Sequence, residues 1–283
     1  MKSILLPTDF SKNSWNAIQY ALNFFEKSNC HFYLLHVNRL SNLASVDTSY
    51  ITTPEAIEEV QTKLAKKQLR EFLKRISKEL PHNKNHKFYT ITDYNFFIES
   101  IRNHVQEKSI DIIVMGTKGA SGLKKFIVGS NTGDVITKVP CTTLVVPENA
   151  KYTNIKEIAF PTDLALSNHI QTLEPISEVL DEFNSFLRVL HINKKKENLN
   201  RDQQKYKELL EDYFNGYKHS FHFLTNDKIE DAVQCFVESR DIDLIAMVAK
   251  NLNYFQRILF MPTVEEISYH TDVPFLVLHE QQN

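Results

Sequence analysis

The chain of 283 residues is 42% hydrophobic and 24% charged, and its formal net charge is −2. These values are typical of a globular chain long enough for two hydrophobic cores. Lysines and arginines are dispersed, so no nucleic-acid-binding surface is predicted. No apolar segment has the length of a membrane span, and the first residues enter a strand without a signal-peptide pattern. The cysteines lie far apart, and we expect them to be packing thiols in a reducing cytoplasm.

The first predicted unit is a strand, a tight polar turn and a helix. Ile4–Leu6 is apolar, and Pro7-Thr8-Asp9-Phe10-Ser11 follows it. Ser11 is predicted to cap the helix, because its hydroxyl can accept from the first free N–H groups. The apolar residues at helical spacing on the inner face are Ile18, Ala21, Leu22 and Phe25.

A second strand and a long helix are predicted next. Leu34–Val37 is a continuous apolar run, as expected for a central strand of a parallel sheet. After a polar stretch, Pro54 is placed to begin a helix, because proline is favoured at the first helical position. The predicted buried stripe of that helix consists of Ile57, Val60, Leu64, Phe72, Ile76 and Leu80.

Glycines cluster in one short segment. The chain has 6 glycines, and those in the cluster are Gly116, Gly119, Gly122, Gly129 and Gly133. They follow an apolar run, Ile110–Met115, that predicts a buried strand. Glycine lets the backbone approach a ligand closely, and successive N–H groups can then bind an anion. Ser130-Asn131-Thr132 is predicted to open a helix to Val139, whose first turn favours a phosphate.

Two common phosphate-binding motifs do not fit this spacing. A P-loop ends in Gly-Lys-Ser or Gly-Lys-Thr, whereas here Ser130 follows Gly129 directly and the lysine is missing. A dinucleotide-binding turn carries its glycines after the first strand, and Thr8–Ser11 contains none. The segment therefore predicts a phosphate cradle of another type.

The second half of the sequence repeats the order of apolar strands in the first. The corresponding segments are Ile4–Phe10 with Ile158–Leu164, Leu34–Asn38 with Val189–Asn193, Ile110–Met115 with Ile242–Met247, and Thr142–Val146 with Pro274–Leu278. Recurrence in the same order indicates an internal duplication. We therefore predict two domains, residues 1–150 and 151–283, joined by the polar stretch Glu148–Asn154.

The glycine pattern is lost in the second half. Aligned without gaps, the counterparts of Gly116, Gly119, Gly129 and Ser130 are Val248, Asn251, Met261 and Pro262. Side chains then project where a backbone would meet phosphate, and proline has no N–H donor. We expect no nucleotide to bind there in this manner.

Two helix signals of the second half are less regular. A helix from about residue 169 to Phe183 would be kinked at Pro175. Asp227 and Glu230 have the spacing of a capping box ahead of the apolar residues that begin at Ala232.

Strands that alternate with amphipathic helices predict an α/β fold, here two tandem open parallel sheets of the Rossmann-like type. Doubly wound sheets bind ligands beyond the carboxyl ends of their strands. Asp9, Val37 and Gly116 lie at such ends, and we expect them to share one crevice.

The spacing Gly116-x2-Gly119-x9-Gly129-Ser130 resembles the nucleotide-binding motif of the universal stress protein family. The resemblance extends to Ile4–Ser11 and to Cys141–Pro147, so it covers the first half. It implies an adenine nucleotide alpha hydrolase-like fold and a regulatory stress-response role, with ATP, AMP or ADP as ligand, with or without Mg²⁺. The residues implied in binding are Pro7, Thr8, Asp9, Val37, Met115, Gly116, Lys118, Gly119, Gly129, Ser130, Asn131 and Thr132.

The resemblance also implies that the domains pair through the strands that end each fold, Thr142–Val146 and Phe275–Leu278. Both strands are apolar, and an unpaired apolar edge would associate with other chains. We therefore expect a pseudo-twofold pair within one chain, and a homodimer stays an open alternative.

Several alternatives stay open at this point. Asp9 either bonds the base, as the resemblance implies, or only stabilises its turn. His36 and His191 are expected to be strand-end histidines, and Lys118 either reaches a phosphate or points to solvent. No catalytic residue and no metal site is predicted. The alternative functions are a slow ATPase or nucleotidyl-transfer enzyme in the same crevice, and a ligand-free partner-binding module.

Overall fold

The computed structural model describes residues 1–38, 54–117, 130–165, 170–195, 198–249 and 272–279. The elements in chain order are β1 (Lys2–Pro7), α1 (Lys12–Phe24), β2 (Cys30–Asn38), α2 (Pro54–Glu79), β3 (His86–Tyr94), α3 (Phe97–Glu107), β4 (Ile112–Gly116), α4 (Ser130–Lys138), β5 (Thr142–Val146), β6 (Glu157–Pro161), a 3-10 helix (Ile170–Leu173), α5 (Glu174–Phe183), β7 (Phe186–Asn193), α6 (Arg201–Tyr213), β8 (His219–Thr225), α7 (Ile229–Ser239), β9 (Leu244–Val248) and β10 (Phe275–Leu278). None of the helices within these ranges is long and apolar enough to cross a membrane.

The strands form one sheet in the order β3-β2-β1-β4-β5-β10-β9-β6-β7-β8. Neighbouring strands are parallel except at the centre, where β5 and β10 pair antiparallel with Leu144 beside Leu276. Both of these leucines are buried. The predicted pairing through the terminal strands is therefore confirmed, and the two halves are related by a pseudo-twofold axis that passes near this leucine pair.

Each half has a doubly wound strand order. β1 lies between β2 and β4, and β6 lies between β7 and β9. One core cluster unites α1, α2, α5 and α6 on one face of the sheet, and it contains Ile4 and Phe160 from different halves. α3, α4 and α7 pack into two clusters on the other face. The predicted α/β class is confirmed, and the core is continuous between the halves on both faces of the sheet.

The outermost strands, β3 and β8, were not among the apolar runs of the sequence. Neither strand contains a fully buried residue. An edge strand has a neighbour on one side only, so polar residues such as Lys87 and Ser220 are tolerated there. Apolar continuity therefore identifies only the central strands.

Helix α2 begins where predicted, but part of its predicted buried stripe is wrong. Val60 and Leu64 are 42% and 57% exposed, whereas Ala65, Leu69 and Ile76 are buried. Each helical residue turns about 100° around the axis, so a stripe through Ala65 and Leu69 directs Leu64 outward.

The two irregular helix starts of the second half have simple explanations. Pro175 does not kink α5, because α5 begins at Glu174 and proline needs no N–H bond in a first turn. The predicted capping box of α7 is wrong, since the N-cap residue is Lys228 and its side chain makes no capping bond. Asn226 Oδ1 instead accepts from the N–H of Lys228 at 2.9 Å.

The domain boundary at residue 150 stays a prediction, and a fragment of residues 1–150 tests it together with the role of β10. The fragment would leave β5 as an uncovered apolar edge, so we expect it to dimerise or aggregate while the full chain does not. Light scattering after size-exclusion chromatography measures both. A fragment that stays monomeric at high concentration would contradict the covering role of β10.

Candidate functional site

The carboxyl ends of β1, β2 and β4 lie side by side at one edge of the sheet. In the parallel register, Pro7 of β1 is level with Leu35 of β2. The strand order reverses at β1, which is the position at which doubly wound sheets bind ligands. The sheet therefore brings Asp9, Val37 and Gly116 to the same edge.

The turn after β1 is stabilised by its own polar side chains. Thr8 Oγ1 accepts from the N–H of Phe10 at 3.0 Å and lies 2.9 Å from Ser14 Oγ. Ser11 caps α1 as predicted, accepting from the N–H of Ser14 at 3.2 Å. Phe10 has a φ of 63°, a left-handed conformation that is unfavourable for a bulky residue. The hydrogen bonds of Thr8 and Ser11 hold the chain in this conformation.

Asp9 is exposed and contributes to the same turn. Its Oδ1 accepts from the N–H of Ser11 at 3.1 Å. This bond is the turn-stabilising role that was one of the two interpretations of Asp9. A carboxylate has acceptor positions for several donors, so the bond is compatible with a further role toward a ligand.

His36 supports the turn from β2. Its Nδ1 lies 2.8 Å from the carbonyl oxygen of Thr8, and its ring centroid lies 4.4 Å from that of Phe10. These are the contacts expected of a strand-end histidine.

The turn after β6 repeats this geometry. Thr162 Oγ1 accepts from the N–H of Leu164 at 3.1 Å. Asp163 Oδ1 accepts from the N–H of Ala165 at 3.0 Å. His191 Nδ1 lies 2.9 Å from the carbonyl oxygen of Thr162, and Leu164 has a φ of 55°. The duplication therefore extends to individual hydrogen bonds, so this turn is a property of the fold and is not by itself evidence of a ligand.

Gly116, the last residue of β4, is enclosed by the first turn of α1. A Cβ atom on it would lie 3.2 Å from the backbone oxygen of Asn13, closer than ordinary van der Waals contact. Thr132 of α4 donates its hydroxyl to the carbonyl oxygen of Gly116 at 2.8 Å. A glycine here therefore lets α1 pack against β4 without displacement of the α1 backbone, whether or not a ligand binds.

Helix α4 begins at Ser130, as predicted, and its amino end lies beside the end of β4. Ser130 is exposed, whereas Thr132 is only 2% exposed. The first turn of a helix has N–H groups outside its own hydrogen bonds, and the helix dipole favours an anion there. Lys118, Gly119 and Gly129 lie outside the described residues.

The remaining predicted residues differ in what they present to this edge of the sheet. The side chains of Pro7 and Met115 are buried, and Met115 belongs to a core cluster, so only their backbones reach this edge. Val37 and Asn131 are half-buried and keep some exposed surface.

Sequence reasoning missed three polar residues at this edge, namely Asn13, Ser14 and Thr117. Each is at most 7% exposed. The N–H of Thr117 donates to the carbonyl oxygen of Val146 at 3.1 Å, which ties the end of β4 to β5. The available signal was the polar run Ser11–Ser14 at the start of an amphipathic helix, because buried polar groups need partners.

Within the described ranges, no group of three or more His, Cys, Asp or Glu residues is placed to hold a metal ion. Cys30 and Cys141 are buried and free, and Cys235 is exposed. Burial raises the pKa of the Cys141 thiol to about 12, so it stays protonated and unreactive at neutral pH. Cys30 and Cys141 have the packing role that was predicted, whereas this prediction is wrong for Cys235, because its side chain is exposed.

Comparison with known proteins gives consistent matches to one family. A family model described as the universal stress protein family matches residues 1–147. Universal stress protein MJ0531 of Methanocaldococcus jannaschii is 29% identical over 150 residues, which are 53% of this chain and 84% of that protein. Universal stress protein YxiE of Bacillus subtilis is 28% identical over 145 residues, 50% of this chain and 97% of that protein. Each of these relatives corresponds to about half of the chain.

A solved structure resembles the chain over its full length. The crystal structure of a universal stress protein from Archaeoglobus fulgidus DSM 4304 covers 97% of this chain, and the match covers 97% of that chain, with a TM-score of 0.68. The identity is 19%, so the similarity concerns the fold alone.

Gly116→Ala is expected to lower the free energy of unfolding by about 1–3 kcal/mol, because the new methyl group would press on the backbone of α1. Gly216→Ala is the matched control, since a Cβ atom there meets nothing within 4 Å. We expect it to change stability by less than about 0.5 kcal/mol. Urea unfolding followed by circular dichroism measures both. Equal effects of the two substitutions would show that Gly116 is not enclosed.

Proposed function

Since the chain belongs to the universal stress protein family, we propose that it is a regulatory protein whose first half binds one adenine nucleotide. The site is the crevice at the carboxyl ends of β1, β2 and β4. The proposal assigns no catalytic step to this crevice.

The observation that carries the proposal is the coincidence of a strand-order reversal and a helix start. β2 lies on one side of β1 and β4 lies on the other, so the direction in which the strands are added to the sheet reverses at β1. The amino end of α4 is fixed to the same edge by the bond from Thr132 to Gly116. A ligand here would meet strand-end backbone on one side and the positive end of a helix dipole on the other, which suits a nucleotide with an anionic tail.

In the proposed complex the base lies near Asp9 and Val37, and the ribose lies near the backbone of Met115 and Gly116. The phosphates would be held by the glycine segment and the first turn of α4, and the residues concerned are Lys118, Gly119, Gly129, Ser130, Asn131 and Thr132. The hydroxyl of Thr132 is already donated to Gly116, so this residue would contribute its backbone N–H. Pro7 and Thr8 would support the base from the adjoining turn.

One nucleotide per chain is proposed, because the second half keeps the turn but not the glycines. Asp163 and His191 make the same contacts as their counterparts. The position equivalent to Gly116 is Val248, and Pro262 stands where Ser130 would supply an N–H. We infer that the second half, residues 151–283, acts as the structural partner of the first, residues 1–150.

The choice among ATP, ADP and AMP, and the need for Mg²⁺, can be decided by experiment. Mass spectrometry of the gently purified chain should detect a co-purified adenine nucleotide. Calorimetric titration with each nucleotide, with and without Mg²⁺, should give one site per chain. Two equivalent sites, or no binding at millimolar nucleotide, would refute the proposal. The free, buried thiols of Cys30 and Cys141 support the predicted cytoplasmic setting.

Asp9→Ala is expected to weaken nucleotide binding by about 1–3 kcal/mol and to reduce the preference for adenine over guanine, because a hydrogen bond from the base to a charged group is lost. Calorimetry with ATP and GTP measures both effects.

Asp163→Ala is the matched control, because it removes the same turn bond from the second half. Both variants should therefore lose similar stability, and only Asp9→Ala should lose affinity. If Asp9→Ala binds ATP and GTP as the unchanged chain does, Asp9 only stabilises its turn.

A further inference from the structure

Helices α1 and α5 lie on the same face of the sheet, on either side of the seam between the halves. Both contribute to one core cluster, and the rings of Phe24 and Phe183 lie 5.2 Å apart. In the register that aligns His36 with His191, α1 corresponds to the 3-10 helix and α5 together, and the buried counterparts are Ile18 with Leu173, Ala21 with Ile176, and Phe25 with Leu180. The pseudo-twofold relation therefore creates two equivalent clefts, one beside each helix.

The cleft beside α1 is filled by the connection between the halves. Asn16 Nδ2 donates to the carbonyl oxygens of Pro147 and Ala150, both at 3.1 Å. The ring of Tyr152 packs edge-on against Tyr20, with centroids 5.5 Å apart. A chain segment thus occupies this cleft through polar and aromatic contacts.

The cleft beside α5 has no such segment among the described residues. Its volume is about 360 Å³, which lies in the range of small-molecule sites. Glu174 and Glu178 line it, at the helix positions that correspond to Gln19 and Asn23. Two amide side chains of α1 are therefore replaced by carboxylates in α5.

Negative charge dominates the open cleft. Glu174, Glu178 and Glu182 follow one another at four-residue spacing, so one face of α5 presents a carboxylate about every 6 Å. Asp111 lines the cleft as well, and Lys2 Nζ lies 2.7 Å from Glu178 Oε1. The four carboxylates and the one ammonium of these side chains leave a formal charge of −3.

Asp111 has a counterpart in the filled cleft, Asp243. There Thr153 of the connecting segment donates its hydroxyl to Asp243 Oδ1 at 3.3 Å. Asp111 is exposed, and its Oδ2 accepts from the N–H of Ser3 at 2.7 Å. Within the described residues, the open cleft thus lacks the donor that the connecting segment supplies on the other side.

Two buried polar atoms at the open cleft have no hydrogen-bond partner among the described residues. Thr172, which lines the cleft, is 6% exposed, and its Oγ1 is unpaired. His279 lines the cleft too, and its Nε2 is unpaired. Burial lowers the pKa of His279 to about 4, so its ring is neutral at pH 7 and does not repel a cation. Neutral imidazole nitrogen and hydroxyl oxygen both accept from an ammonium donor.

We propose that this cleft binds a linear aliphatic polyamine. Ammonium groups separated by short methylene chains match carboxylates that recur at each helical turn, and the pairs would be charge-assisted hydrogen bonds. The methylene chains would pack on Phe24, Phe25 and Val179, which line the cleft. The Lys2–Glu178 pair already places an alkylammonium group on this row of carboxylates.

The test is calorimetric titration of the full chain, free of nucleotide, with spermidine at low ionic strength. We expect one site per chain that weakens as salt is added. The double variant Glu174→Gln and Glu182→Gln should lose about tenfold or more in affinity, because two charge-assisted contacts are removed. Lys2→Gln should bind spermidine more tightly, since it frees Glu178 from its internal ammonium.

The matched control is the double variant Glu208→Gln and Glu238→Gln, which removes the same charge from exposed positions of α6 and α7. Its spermidine affinity should equal that of the unchanged chain. Equal losses in the two double variants would show attraction to net charge alone and overturn the proposal, as would the absence of any binding. Thr172→Val should raise the Tm of the free chain while weakening spermidine binding, and tighter binding would contradict the role of the hydroxyl. Nucleotide titration of these variants should be unchanged, so the result is independent of the function proposed for the first half.

Discussion

The antiparallel contact between β5 and β10 is the constraint on which the rest of the structure depends. It joins two parallel sheets into one and buries two strands that would otherwise be apolar edges. It also sets the pseudo-twofold relation, which places α1 and α5 in the same layer and makes their core continuous. The position of the crevice in the first half follows from strand order within that half, but the clefts at the seam exist only because of this contact.

Much of the fold could be predicted because its central strands are buried on both faces. Continuous apolar runs located them, and their recurrence revealed the duplication. The pairing of the terminal strands was expected from the resemblance to the universal stress protein family. The edge strands β3 and β8 were not predicted, because a strand with one neighbour tolerates polar residues and has no continuous apolar run. The predicted cap of α7 was wrong because Asp227 and Asn226 are both short polar residues. Spacing alone does not reveal which of them accepts from the N–H of Lys228.

The candidate site was less predictable, because one sequence signal has two physical causes. Gly116 fits a position where a backbone meets a phosphate, yet its enclosure by Asn13 gives it a packing role of its own. Asp9 and His36 stabilise a turn that Asp163 and His191 reproduce in a half without the glycine pattern. Residue types therefore predicted that Asp9, Val37 and Gly116 share one edge of the sheet, as the strand order shows, while the packing contacts of these residues required the three-dimensional structure.

The connecting segment that fills the cleft beside α1 has an evolutionary consequence. Two separate copies of a domain that associate about a twofold axis must present identical clefts, and any substitution changes both at once. The one segment that connects two fused copies can occupy only one of these clefts. Gene fusion thus makes the two clefts different from the first generation, and selection can afterwards alter a residue of α5 such as Glu174 without altering its counterpart in α1, Gln19. Such a chain can acquire a second binding specificity without losing the first.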